Sequence, residues 1–139
     1  MNQVSYNTIS GRTSVADLHV DYIRPHYNNA EEWFNTPNNI YVGREGRVNA
    51  GGKVFAYKRS LWYNPFKVGT ENTLDQALYK YYFYIIEKIQ RENLWSELRN
   101  LKGKCLGCWC VKTFNEESYA NCRCHAQVLL YLIRYYFGE

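Results

Sequence analysis

A chain of 139 residues has room for one hydrophobic core and is too short for two ordinary domains. Its 17 Lys and Arg against 13 Asp and Glu leave a net charge of +4, a weak pull on polyanions without the dense basic run of a nucleic-acid footprint. No apolar run approaches the roughly 18–20 residues that span a bilayer, and Met1-Asn2-Gln3-Val4-Ser5 has no signal-like pattern, so no membrane partner and a soluble, intracellular protein are expected.

Residues 1–12 are polar and aperiodic and are read as a flexible arm; residues 13–139 are read as a single α/β domain. Partial alternation of Val15, Leu18, Val20, Tyr22 and Ile23 predicts a first strand over residues 13–24, closed by Pro25. Asn28 and Asn29 ahead of Ala30-Glu31-Glu32-Trp33-Phe34 predict a short capped helix. Residues 39–44 form a compact apolar strand ending in glycine. Gly46, Gly51 and Gly52 then mark a turn before Lys53-Val54-Phe55-Ala56-Tyr57, which together predict a hairpin. Pro65 keeps residues 60–66 out of any central strand.

The clearest helix begins at Thr73, with Gln76 placed for a capping box and apolar residues at 74, 77, 78, 81, 82, 85, 86 and 89. Tyr79, Tyr81, Tyr82 and Tyr84 go around this helix, which predicts a second covered side, from a crowded core or a homo-oligomer contact. Helical structure restarts near Leu94 and ends at Gly103. Residues 104–110 read as a buried strand, residues 111–123 as a polar loop, and residues 124–137 as a final apolar helix whose Val128, Leu129, Leu132, Ile133, Tyr136 and Phe137 can face the sheet.

All five cysteines lie between residues 105 and 124, in Cys105-Leu106-Gly107-Cys108-Trp109-Cys110 and then Cys122 and Cys124, with His125 beside the last. An odd number crowded at one end is a poor disulfide framework, so reduced thiols are expected. Cys108, Cys110, Cys122, Cys124 and His125 offer soft ligands for zinc, whereas Cys105, which points to the other face of a strand from Cys108, reads as a packed residue. Cys124 at a helix N-terminus is also a candidate catalytic nucleophile with His125 as proton carrier. Arg44 at a strand end could hold phosphate or carboxylate, Asn64 could position a ligand, and Trp62 or Trp109 could stack on a base.

Tyr41-Val42-Gly43-Arg44, Ser60-Leu61-Trp62-Tyr63-Asn64-Pro65-Phe66-Lys67-Val68-Gly69, Gly103-Lys104-Cys105-Leu106-Gly107-Cys108-Trp109-Cys110 and Cys124-His125 occur in that order. Over residues 39–137 the chain resembles the family called domain of unknown function 4326. The resemblance implies a bacterial, phage or viral source, host cytoplasm if viral, and a small α/β domain in which these motifs converge on one pocket. It implies no reaction. This chain departs from the family pattern in the long link over residues 111–123 with its extra Cys122, in Tyr63 where glycine is common, and in Gln127 where aspartate is common.

These readings combine into an α/β sheet flanked by helices, Rossmann-like, with the C-terminal helix following a buried cysteine-rich strand. The expected function is binding, and processing if an enzyme, of a nucleotide-like or other phosphorylated small molecule at the carboxyl ends of the strands. The reaction would then be transfer or hydrolysis at a nucleoside or nucleotide, by analogy with such folds. The alternatives are a zinc-stabilised module that binds nucleic acid or protein, and an assembly protein that has lost activity.

Overall fold

In the computed structural model, which describes residues 11–139, strand β5 (Cys105–Cys108) is the middle of a three-stranded parallel sheet. Its neighbours are β1 (Ser14–Asp17) and β2 (Asn39–Tyr41), in the order β1-β5-β2. Leu106 stands opposite both Val15 and Ile40.

Because strand side chains alternate, this four-residue strand feeds two cores. Leu106 and Cys108, with Val15, pack against the helices α3 (Leu74–Glu92) and α5 (His125–Phe137). Cys105, with Ala16, packs on the opposite side with Ile23 of α1 (Val20–Ile23), Trp33 of α2 (Ala30–Phe34) and Tyr27. A parallel sheet covered on both faces needs near-continuous apolar strands. The result is a mixed α/β domain with helices on both faces of its main sheet.

Gly107 marks the tightest point of the second core. The indole of Trp33, fully buried, lies where a side chain at 107 would begin, and an added Cβ would overlap the ring. The glycine lets the indole approach the central strand closely.

A separate two-stranded sheet pairs β3 (Gly46–Ala50) with β4 (Lys53–Tyr57). The predicted hairpin is present, but its first strand is Gly46–Ala50. The expectation that residues 39–44 form that strand is corrected, because Ile40 and Val42 are drawn into pairing and packing with β5. Gly51 and Gly52, at φ 61° and 84°, supply the two left-handed residues that a two-residue turn requires.

The predicted strand over residues 13–24 is also shortened. It ends at Asp17, where the carboxylate accepts the N–H of His19 (3.0 Å) and of Lys112 (2.9 Å), and α1 follows with His19 as its cap. Residues 111–123 have no regular structure, as predicted, yet they cover the outer edge of β1. Val15 exchanges backbone bonds with Glu116, and the Asp17 N–H donates to the Thr113 carbonyl (2.8 Å).

Helix α3 starts as read, with Thr73 and Gln76 exchanging hydrogen bonds of 2.9 and 3.2 Å. It buries Ala77, Tyr81, Ile85 and Ile89. Tyr79 remains 68% exposed, so the tyrosines are not all covered. After α4 (Trp95–Arg99) the chain enters β5, and α5 then lays Leu129, Leu130, Leu132 and Ile133 on the sheet. Tyr136, expected to face the sheet, is exposed and packs edge-on to Trp95. Among the described residues no helix is long and apolar enough to cross a membrane. The arm read over residues 1–12 lies outside the described residues except for Gly11 and Arg12, and the Arg12 guanidinium reaches Glu117 at 3.9 Å.

Two outcomes are expected. Gly107→Ala should lower stability by about 1–3 kcal/mol through overpacking against Trp33, read as a lower urea midpoint with an unchanged slope. Glu139, whose side chain is 3% exposed, is pushed up by burial but pulled further down by hydrogen bonds from Thr13 and by Arg134, so its net shift is below the ordinary 4.5. Its contribution is present above the unfolded pKa and is lost as pH falls through the lower folded value. Glu139→Gln should therefore lower the unfolding midpoint at pH 7 and cost progressively less as the pH is taken below 4.5.

Candidate functional site

The parallel strands β2 and β5 finish side by side, and the segments after their ends face the start of α5. Between these ends lies a cleft of about 500 Å³. Gly43 and Arg44 follow β2, Trp109 and Cys110 follow β5, Asn64, Phe66 and Lys67 come from the proline-containing loop, and Arg123, Cys124 and His125 from the head of α5. The four sequence motifs thus line one cleft.

Arg44 is held by its own loop. Its Nε donates to the Asn64 carbonyl (2.8 Å), while its carbonyl accepts the Tyr41 hydroxyl (2.6 Å). The Asn64 side chain turns inward and accepts the Phe66 N–H (2.8 Å), which fixes the loop ahead of Lys67. The indole N–H of Trp109 donates to the Tyr41 hydroxyl (3.2 Å), and the Trp109 ring stacks on Tyr57 at 5.9 Å. Burial first, and then the neighbouring Tyr57, push the Tyr41 hydroxyl far above the ordinary range, so it stays a neutral hydrogen-bonding group.

The charge in the cleft is lopsided. Arg44, Lys67 and Arg123 all line it, and none is within ion-pair distance of a carboxylate among the described residues. Glu45, the acidic residue of the lining, is paired with Arg59 at 3.5 Å.

The floor is made of sulfur. Cys108, Cys110 and Cys124 bring their Sγ atoms within 4.8 Å of one another, close enough to hold a metal ion together. Cys108 and Cys124 are buried, and burial raises their thiols well above the usual range. Cys110 is exposed and moves the other way, because Cys108 first and then Cys124 hydrogen-bond to its sulfur. Cys105 is in the opposite core, 0% exposed, with its thiol pushed up by burial to about 12.

His125 is buried and its Nε2 lies 2.6 Å from the Val42 carbonyl. A carbonyl oxygen only accepts, so Nε2 carries a proton, and in the tautomer this bond selects the lone pair is on Nδ1. That atom is 3.6 Å from the Cys124 sulfur. Neighbouring residues meet here because Cys124 is the extended cap and His125 the first helical residue; inside a helix they would diverge.

Other residues read from the sequence stand elsewhere. Trp62 is buried in the main core and is absent from the cleft lining; its carbonyl takes the hydroxyl of Tyr81 at 2.7 Å. Cys122 lies outside the sulfur triangle, its thiol 3.6 Å from the Cys124 carbonyl. Gln127 faces the loop. Its Oε1 accepts the N–H groups of Arg123 (2.7 Å) and Cys124 (3.2 Å), which makes it the brace that aims both residues. Tyr57, Lys67 and Arg123 were not among the candidates; Lys67 lies in the motif after Pro65 and Arg123 directly precedes Cys124, so adjacency was the available signal.

The class defined here is a small α/β domain with a cationic, aromatic-walled cleft at its strand ends and a thiol cluster at the bottom. The chain belongs to the family described as a domain of unknown function (DUF4326), whose model matches residues 26–135. It is 30% identical over 95 residues to uncharacterized protein R718 of Acanthamoeba polyphaga mimivirus, a match covering 68% of this chain and 66% of that protein. No solved structure matches the chain.

Exposure sets an expected order of thiol reactivity. In metal-free folded protein, Cys110 should alkylate first and Cys105 last, resolved by peptide mass spectrometry after a timed pulse of iodoacetamide. Uniform labelling of all five would contradict the burial described.

Proposed function

We propose that this protein binds a nucleotide-like phosphorylated small molecule in the cleft. The observation that carries this reading is the set of three cations without carboxylate partners among the described residues, Arg44, Lys67 and Arg123, facing one space beside the stacked Tyr57 and Trp109. A phosphate would sit between Arg44 and the head of α5, where the helix dipole favours an anion. Rossmann-like sheets bind phosphate at this same place, outside the carboxyl ends of parallel strands. An aromatic base would lie along the wall of Tyr57 and Trp109, and stacking of this kind is worth about 0.5–1.5 kcal/mol beyond the area covered. A volume of about 500 Å³ is in the range of small-molecule sites.

If the bound molecule is processed, the groups within its reach are Cys110, Cys124 and His125, which makes transfer or hydrolysis at a nucleoside or nucleotide the reaction class to test. A second reading, a zinc-stabilised module that binds nucleic acid or protein, is favoured by the three sulfurs within 4.8 Å.

The test is a thermal-shift and calorimetric screen of nucleoside mono-, di- and triphosphates against the wild type and Arg44→Ala. A hit should raise the wild-type melting temperature, and the variant should bind it at least tenfold more weakly, since a hydrogen bond to a charged group contributes about 1.5–3 kcal/mol. An equal response in both proteins would remove Arg44 from the anion site.

A further inference from the structure

We infer that Cys108, Cys110, Cys124 and His125 together form a closed four-ligand zinc centre, with the Val42 carbonyl holding the histidine in its ligating tautomer. The inference rests on the metal reading above and goes beyond it by fixing the ligand set, which excludes Cys122 and takes Cys124 and His125 out of nucleophilic chemistry.

Distances carry the argument. With zinc–sulfur bonds of about 2.3 Å and zinc–nitrogen bonds of about 2.0–2.1 Å, the corners of a tetrahedron lie about 3.8 Å apart for two sulfurs and about 3.6 Å for sulfur and nitrogen. The Cys108 and Cys110 sulfurs are 3.9 Å apart, and the Cys124 sulfur is 3.6 Å from Nδ1 of His125. These two pairs stand at the spacings of a tetrahedral site, and the three sulfurs lie within 4.8 Å of one another.

The histidine supplies an independent observation. Ligating imidazoles generally donate their other N–H to a carbonyl or carboxylate, which sets the tautomer and ring orientation. His125 has that bond, 2.6 Å to Val42, and the residue giving the carbonyl follows strand β2, so the ring is anchored to the sheet. The ring nitrogen left over by that bond is the one beside the Cys124 sulfur, at 3.6 Å. Cys122 offers its thiol to the backbone carbonyl of Cys124 and has no such place.

On binding, Zn²⁺ displaces a proton from each ligand sulfur that still carries one and takes the Nδ1 lone pair, and the three thiolates more than neutralise the metal's charge. No electron is transferred. The centre would tie the end of β5 to the head of α5, two elements otherwise separated by the long loop over residues 111–123. Metal binding is thereby part of the domain's stability.

The experiment uses the full chain expressed in zinc-supplemented medium and purified without a histidine tag or chelator. Zinc per chain is measured by elemental mass spectrometry for the wild type, Cys110→Ser, His125→Ala and Cys122→Ser. The expected result is about one zinc per wild-type chain, retained in Cys122→Ser and lost in Cys110→Ser and His125→Ala. As the variants could misfold, the wild type is also loaded with Co²⁺ and with zinc. The cobalt spectrum should show tetrahedral bands with thiolate charge transfer, and nitrogen NMR of the zinc form should show His125 with Nε2 protonated and Nδ1 bound to metal. Zinc retained with an unligated His125, or lost in Cys122→Ser alone, overturns the ligand set while leaving a metal module standing. A wild type that takes up no zinc overturns the centre and the metal reading together, and the anion site is judged separately by the Arg44→Ala titration.

Discussion

The four residues of β5 are enclosed on both edges and on both faces, and most of the structure follows from that confinement. Pairing with β1 and β2 uses the backbone on each side, so the side chains alone have to serve two cores. Leu106 supplies bulk to the larger core, and Gly107 gives up its side chain to admit Trp33 on the other. Cys105 and Cys108 fill the remaining positions as compact apolar groups. The strand must then leave the sheet at its carboxyl end. Cys108, Trp109 and Cys110 are delivered there in one step, a buried thiol, an aromatic wall and an exposed thiol in consecutive positions.

The cleft inherits its character from three unrelated parts of the chain. Arg44 comes from the end of a sheet strand, Lys67 from a loop shaped by the inward turn of Asn64, and Arg123 from a loop braced by Gln127. Their charges add because the acidic residue at the rim is already paired outward with Arg59. The position of Gln127 also explains how this chain can lack a carboxylate there. The side chain serves as an acceptor for two backbone N–H groups, a role an amide oxygen fills as well as an acid would.

Much of this arrangement was legible in the residues and some was not, for identifiable reasons. The start of α3 could be read because a capping box is a local pattern, complete within Thr73 and Gln76. The buried strand expected over residues 104–110 could be read from composition, although it is shorter, Cys105–Cys108. The partner of β4 was misread, since residues 39–41 and 46–50 are both fit for strands and only the distant β5 decides which one joins the hairpin. Trp62 is a stacking candidate in sequence because its ring could cover a base; depth in the core has no signature in a loop sequence. Lys67 and Arg123 carry no signal singly, and their meaning arises when the fold brings them to one cavity. The family itself was legible from motif order and is borne out over residues 26–135.

Among the described residues, the hairpin of β3 and β4 shares no backbone hydrogen-bond ladder with the main sheet. It is fastened by rings, with Phe34 against Phe55 and Tyr57, Tyr41 against Tyr57, and Tyr57 against Trp109. Two-stranded ribbons are marginal alone, and units with few backbone ties open at lower free energy than the sheet they rest on. The cleft is therefore asymmetric in stiffness: the strand ends and helix head act as a fixed jaw, while the jaw bearing Tyr57 is hinged on aromatic packing. A guest clasped against Tyr57 would slow amide exchange in the hairpin without touching the protection of β5.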